Sequence, residues 1–271
     1  MHAGSTAARP RRLDELAWTE VAALGKAQPI VLVPIGATEA HGPHLPLGTD
    51  VFLSEELAAR AQRALDERGR PSLIAPSLAY SVTEFGAPFA GTVSLTAPAA
   101  SALLSGVCCG LVRSGLSRIC LVNSHLEAAH VGVLRAAVAE VKARCGGTVA
   151  FPDHTERRWA RTLSDEYKKG NCHAGRYETA LLLCARPELV RRDLASQLAP
   201  NPSDFLAAVR TGAGTFTQAG GPEAYFGDPA AATPAEGEDL FLRLVTMVVT
   251  TVEETWPHPE QDPPPVPTSY P

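Results

Sequence analysis

Apolar runs and helical stretches alternate along residues 29–185. Residues 30–33 (IVLV) and 118–122 (RICLV) are apolar almost without interruption, the pattern of strands covered on both faces of a parallel sheet. Shorter strands are predicted within 71–79 and 148–151. Amphipathic helical spacing occupies the intervening segments 51–69, 98–114, 128–143 and 177–187. This alternation predicts an α/β fold with a mostly parallel sheet and helices on both of its faces.

The two ends of the chain differ from its centre. Residues 1–12 are predicted to be a disordered arm, and the proline-rich residues 257–271 a tail. Helical spacing at 13–24 and 236–255 predicts the first and last helices. Residues 13–256 are therefore predicted to form a single domain.

Composition excludes several classes of function. The 271 residues are 45% hydrophobic and carry a net charge of −5, so we expect a globular protein with no nucleic-acid partner. No segment has the apolar length of a membrane span, and the N-terminus lacks the apolar run of a signal peptide. We therefore expect no membrane partner and a cytoplasmic location. The six cysteines lack the spacing of a disulfide framework or zinc knuckle and are predicted to be reduced, mostly buried thiols: Cys108, Cys109, Cys120, Cys145, Cys172 and Cys184.

Polar residues follow both long predicted strands. Glu39 and His41, two positions apart, follow the first, and His125 and Glu127 repeat that spacing after the second. Asp50 opens the next helix, where it can also serve as an ordinary helix cap. The carboxyl ends of parallel strands share one crevice, so these side chains are expected to converge there.

The converging residue types predict a metal site. Imidazole and carboxylate together suit zinc or manganese, and no cysteine joins the set. Two ions about 3.5–4 Å apart would activate a water and polarise a carbonyl oxygen, which indicates hydrolysis of an amide or related C–N bond. Each pair taken alone also has capping, turn or surface explanations, and we interpret His44 as a loop residue between prolines and His130 as structural.

Five segments carry a resemblance to a known family. They are GATEAHGPHLPLGTD, AGTVSL, NSHLE, CHAGRYETALLL and GDPAAATPAEGE, spread in order over about residues 28–250. They resemble the creatininase family (creatinine amidohydrolase and relatives). The resemblance implies a three-layer α/β/α sandwich, two divalent ions per subunit (Zn and/or Mn, with Fe possible), hydrolysis of amides, and a homo-oligomer, commonly a hexamer.

The resemblance also implies roles for individual residues. Glu39, Asp50 and His125 match one metal site. His41, Asp50 and Glu127 match the other. Asp50 would bridge the two sites, and Glu127 is also a candidate catalytic residue. His173 matches a histidine that moves the proton between the attacking water and the leaving nitrogen. Glu178 matches a position that either orients a ligand or is itself a ligand.

Departures from the family pattern concern the substrate pocket. Leu126 stands where creatinine hydrolases have tyrosine, Cys172 replaces a glutamate, and an expected tryptophan before His173 is missing. Thr83 and Glu84 match a Ser-Glu pair of the pocket loop, which spans residues 80–95 and is predicted to end in a short strand. We therefore expect the metal chemistry to be kept and the substrate to have changed.

The sequence leaves several functions open. The first prediction is a dinuclear amidohydrolase for a small polar amide or lactam other than creatinine. The alternatives are creatinine amidohydrolase itself, the family's peptidase branch that trims a redox-cofactor precursor peptide, and a non-catalytic binding or assembly subunit. A nucleotide-binding protein is disfavoured because no GxGxxG turn follows the first strand.

Overall fold

The computed structural model describes residues 10–257, and its centre is a four-stranded parallel sheet. The strands are β1 (Ile30–Ile35), β2 (Ser72–Ile74), β3 (Arg118–Asn123) and β4 (Thr148–Ala150). Their order is β2-β1-β3-β4, and every neighbouring pair is parallel. β1 and β3 pair over their whole length, from Ile30 with Arg118 to Ile35 with Asn123. The two long strands therefore end side by side, as predicted.

Helices connect the strands and close the fold. The α-helices are α1 (Trp18–Gly25), α2 (Thr49–Asp66), α3 (Ala97–Arg113), α4 (Ala128–Cys145), α5 (Arg157–Ala160), α6 (Asp165–Lys168), α7 (Arg176–Ala185), α8 (Arg192–Ala195), α9 (Phe205–Arg210) and α10 (Pro234–Thr255). Short 3₁₀ turns lie at Leu13–Glu15, Pro187–Leu189 and Pro229–Ala231. None of the helices within residues 10–257 combines the length and apolar character needed to cross a membrane.

Alternate strand residues face two different helical layers. Ile30 and Leu32 pack into a core with α2, α7 and α10. Val31 and Val33 pack into a second core with α3 and α4. Side chains of a strand point to opposite faces in turn, so a sheet covered on both sides needs the continuous apolar runs seen in β1 and β3. The result is the predicted three-layer α/β/α sandwich.

Three local predictions concern one short strand and the two ends of the chain. The prediction of a short strand at the end of the 80–95 loop is wrong, because that segment holds only an isolated bridge between Ser81 and Ser94. Turns about Gly86 and Gly91, the latter at φ +86°, interrupt extended pairing there. Residues 1–9 and 258–271, most of the predicted arm and tail, lie outside the described residues, whereas the Arg11 carbonyl accepts a hydrogen bond from the β2 residue Ile74.

The cysteine prediction is wrong for two of the six residues. Cys109 on α3 and Cys145 at the end of α4 form a disulfide, with their Cα atoms 5.8 Å apart. The other four are free, and only Cys184 is more than slightly exposed. Positions 36 residues apart are joined because α3 and α4 pack side by side, a tertiary relation that cysteine spacing does not encode.

Candidate active site

The loop after β1 carries most of the predicted ligands into the interior. Glu39, His41 and Asp50 are each at most 2% exposed. Gly36 makes this possible, because a Cβ at that position would lie 2.6 Å from Val51 N and 2.8 Å from Asp50 Cβ. The start of α2 therefore packs directly against the end of β1, and Asp50 in the first turn faces the loop.

Three histidines are oriented by backbone carbonyls. His41 Nδ1 lies 3.1 Å from the Glu39 carbonyl oxygen, His125 Nε2 lies 2.8 Å from that of Val82, and His173 Nε2 lies 3.0 Å from that of Ala40. A carbonyl can only accept, so each of these nitrogens carries the proton. When the ring is neutral, its second nitrogen carries a lone pair, the arrangement in which imidazole ligates a metal.

Those free nitrogens point at a cluster of carboxylates. His41 Nε2 lies 3.2 Å from Asp50 Oδ1, 3.5 Å from Glu178 Oε2 and 3.8 Å from Glu39 Oε1. His125 Nδ1 lies 3.1 Å from Glu39 Oε1 and 3.1 Å from Asp50 Oδ2. His173 Nδ1 is 3.8 Å from Glu39 Oε1. The strand-end loops and α7 thus bring six donor side chains together.

Three sets of donor atoms lie within 4.8 Å of one another. The first is Glu39, Asp50 and His125, the set predicted for one ion. The second is His41, Asp50 and Glu178, in which Glu178 takes the place predicted for Glu127. The third is Glu39, His41 and His173.

With neutral imidazoles, the three carboxylates of this cluster, Glu39, Asp50 and Glu178, carry a negative charge that favours a cation. Among residues 10–257, no Lys or Arg forms an ion pair with Glu39, Asp50 or Glu178. Asp50 Oδ2 is buried, and the group beside it is His125 Nδ1 at 3.1 Å, so it has no hydrogen-bond donor when that imidazole is neutral. A buried anionic oxygen without a donor is costly. Carboxylate and imidazole are ligands that zinc and manganese accept. The side chains present therefore fit a divalent metal centre.

The pKa values follow from the same charges. Burial alone lowers the pKa of His41, but the carboxylate of Asp50, aided by Glu178 and Glu39, raises it to about 10. Burial also lowers the pKa of His125, but the carboxylates of Glu39 and Asp50 outweigh burial and raise this pKa well above its usual value. Burial raises the pKa of Glu178 to about 8, although nearby His41 opposes the shift. A proton on these imidazoles occupies the position that a metal ion would compete for.

His173 has the opposite electrostatic character. Burial first, and then the neighbouring His41, lower its pKa to about 4. Its ring stacks on Phe216 with centroids 4.0 Å apart and planes 20° apart. At neutral pH it is therefore a neutral imidazole, with Nδ1 free to accept a proton.

Glu127 lies beside the cluster rather than within it. It caps the start of α4, and its carboxylate accepts hydrogen bonds from the backbone N–H groups of Glu84 at 3.2 Å and Phe85 at 3.3 Å. It belongs to none of the three donor sets, but it lines the cavity above them. Glu127 thus lies outside the three donor sets and Glu178 within one of them, and which of the two binds a metal stays a prediction.

Of the four predicted substrate residues, two line the cavity. Leu126 and Cys172 form part of its wall. Thr83 is buried and donates from Oγ1 to Glu39 Oε2, and it is not among the lining residues. Glu84 is exposed, and its carboxylate accepts a hydrogen bond from Ser94 Oγ at 2.6 Å. Thr83 thus holds a candidate ligand in place, and Glu84 turns away from the pocket.

A cavity of about 350 Å³ opens above the donor cluster. Its wall is mainly apolar and includes Phe85, Tyr167, Phe205, Leu206, Val209 and Phe216. Lys168 is a basic residue in this lining. Phe205 and Phe216 lie in a Gly- and Ala-rich segment without periodicity, so no local pattern marks them.

A buried carboxylate and imidazole cluster at the strand ends of a parallel sheet is a candidate metal centre of an α/β enzyme, and comparison with known proteins names the family. The profile for creatininase, described as creatinine amidohydrolase, matches residues 14–252. A mycofactocin precursor peptide peptidase of Mycobacterium ulcerans (strain Agy99) is 31% identical over 258 residues, covering 92% of this chain and 94% of that one. A creatinine amidohydrolase of Pseudomonas putida is 27% identical over 197 residues, covering 67% and 74%.

Solved creatininases share the fold. The manganese form matches with a TM-score of 0.74 at 21% identity, covering 92% of this chain and 100% of that chain. Creatininase structures also include a Zn–Zn type. The chain belongs to the creatininase family, as the sequence motifs indicated. As a member it is a hydrolase of amide or peptide C–N bonds.

Proposed function

We propose that this protein is a dinuclear metal peptidase that cleaves an amide bond in a short peptide. The observation that carries the proposal is the apolar cavity of about 350 Å³ that opens onto the donor cluster. Such a wall suits an apolar side chain next to the scissile bond better than a small polar lactam. The relatives named as precursor peptide peptidases support the same choice.

Two ligand sets share Asp50. Glu39, Asp50 and His125 would hold one ion, and His41, Asp50 and Glu178 the other. Zinc or manganese suits these donors, with iron as a further option. When bound, such ions lower the pKa of a water and polarise a carbonyl oxygen.

His173 moves the proton in this proposal. Its Nε2–H donates a hydrogen bond to the Ala40 carbonyl, so Nδ1 is the nitrogen that accepts the proton released by the attacking water. The same nitrogen then delivers that proton to the leaving amine. Stacking on Phe216 limits rotation of the ring, which keeps Nδ1 directed at the donor cluster.

The cavity wall positions the peptide. Phe85 and Leu126 offer apolar contacts beside the donor cluster. Burial raises the pKa of Glu127 despite the nearby His125, and its carboxylate faces the same cavity. We assign Glu127 to contact with the reacting amide group rather than to metal ligation.

A substrate panel tests the proposal. Protein loaded with manganese or zinc is incubated with short peptides carrying apolar or aromatic residues, with creatinine and other lactams, and with formamides, and products are identified by mass spectrometry. The matched control is the same protein after chelation. We expect peptide cleavage that chelation abolishes. Creatinine turnover without peptide cleavage would support the creatinine amidohydrolase alternative, and metal binding without any hydrolysis would support a non-catalytic subunit. The homo-oligomeric state and the cytoplasmic location stay predictions.

A further inference from the structure

His44 is a buried histidine to which the mechanism gives no role. Its side chain is fully enclosed, with 0% exposure. Nε2 forms a hydrogen bond of 2.9 Å with Thr179 Oγ1, whereas Nδ1 is buried without a partner. Burying a polar nitrogen without a hydrogen bond opposes folding. An apolar side chain would avoid that cost, so stability alone does not explain a histidine here.

The bond from His44 joins the two halves of the second ligand set. His44 lies in the loop that carries His41 and leads to Asp50, and Thr179 follows Glu178 on α7. Among the hydrogen bonds of residues 10–257, this is the one that links residues 36–48 to α7. His41 Nε2 and Glu178 Oε2 lie 3.5 Å apart beside it.

Backbone contacts hold both partners of this bond in place. The His44 carbonyl accepts a hydrogen bond of 2.9 Å from Arg191 N–H, and Gly42 N–H donates to the Ala224 carbonyl at 2.8 Å. Thr179 N–H donates to the Gly175 carbonyl within α7, and Thr179 is 0% exposed. Each partner is thus held within its own segment, and the bond between them ties the loop to α7.

We propose that His44 and Thr179 are positioning residues that hold Glu178 against His41 and so complete the second metal site. The inference rests on the proposed two-ion function. Loss of this bond frees α7 to shift relative to the loop, which separates Glu178 from His41 and Asp50. The first set, Glu39, Asp50 and His125, takes no ligand from α7 and is left intact.

Substitutions at Thr179 isolate the bond. T179V removes the hydroxyl at nearly constant volume, and T179S keeps it. H44F provides a second variant, in which the ring is kept and its nitrogens are lost. Each full-length protein is freed of metal and titrated with Mn²⁺ by calorimetry, and its unfolding temperature is recorded.

We expect the wild type and T179S to bind two Mn²⁺ ions. T179V is expected to bind one ion as the wild type does and a second about 10- to 100-fold more weakly, the usual effect of losing a group that orients a ligand. H44F should match T179V. A T179V protein that binds both ions like the wild type, or loses affinity equally for both, overturns this inference alone. A wild type that binds fewer than two ions overturns the proposed function and this inference with it.

Discussion

The floor and the wall of the cavity differ in burial, charge and polarity. The floor, defined as Glu39, His41, Asp50, His125 and Glu178, is buried, highly charged and anchored through backbone hydrogen bonds. The wall, defined as Phe85, Leu126, Phe205, Leu206 and Phe216, is apolar, and Leu206 is 42% exposed. A change in the floor should alter metal binding, whereas a change in the wall should alter what fits above it and, at Phe216, the orientation of His173. This teaches that reaction class and substrate choice are held by separable sets of residues.

The largest effect is expected at Asp50, because both proposed ligand sets contain it. D50A should lose both ions and lower hydrolysis by about 10³-fold or more, since metal ions contribute several kcal/mol of transition-state stabilisation. Elemental analysis and a peptide assay measure the two effects. The exposed D165N on α6 is a matched control that should leave both unchanged. Retention of both ions by D50A would contradict the floor as described.

His173 lies between the floor and the wall, and its substitution should lower turnover without removing metal. H173A is expected to keep both ions and to lose about 10²- to 10⁴-fold in kcat. Because the pKa of His173 is lowered to about 4 by burial and by His41, its proton-accepting form is present at neutral pH and is lost as pH falls through 4. In the wild type, kcat should therefore fall with an apparent pKa near 4 as His173 becomes protonated. A fall in kcat with an apparent pKa near 6.5 that is absent in H173A would show that the imidazole is not held neutral.

The wall should respond through substrate affinity and turnover at constant metal content. F216A removes a buried ring, which is worth about 1.5–3 kcal/mol of apolar contact. We expect kcat/KM to fall about 10- to 100-fold while two ions remain bound. F216L, which keeps apolar volume, should retain more activity. Loss of metal from F216A would join wall and floor into one unit and contradict the comparison.

The smallest functional effect is expected outside both regions. C109S removes the disulfide between α3 and α4, which closes a separation of 36 residues, and should reduce the free energy of unfolding by about 2–4 kcal/mol. Metal content and turnover should stay as in the wild type, since neither cysteine lines the cavity. Denaturation with and without reductant measures the first effect. A change in metal affinity would reveal coupling between this helix pair and the floor.

Sequence predicted the floor better than the wall for a physical reason. Adjacent parallel strands end together, so the spacing of Glu39, His41 and His125 was enough to place them. Glu178 was left open as a ligand or an orienting residue, because its approach depends on how α7 packs against the loop. The position of α7 depends in turn on its close contact with α10 at Gly237, where a Cβ would lie 2.1 Å from the Ala180 carbonyl oxygen.

The wall could not be predicted because its residues come from separate segments brought together by tertiary packing. Phe205 and Phe216 sit in a stretch whose Gly and Ala content hides any periodicity. The family resemblance predicted that Glu84 binds substrate, whereas its carboxylate accepts a hydrogen bond from Ser94 and is not part of the cavity lining. Glu127 has the expected strand-end position, yet backbone N–H groups of residues 84 and 85 hold its carboxylate outside the donor sets.

The most direct test of the two-ion floor is anomalous diffraction from crystals of the protein grown with manganese. The account predicts two anomalous peaks, one coordinated by Glu39, Asp50 and His125 and the other by His41, Asp50 and Glu178. A single peak, or a second ion ligated by Glu127 in place of Glu178, would contradict it.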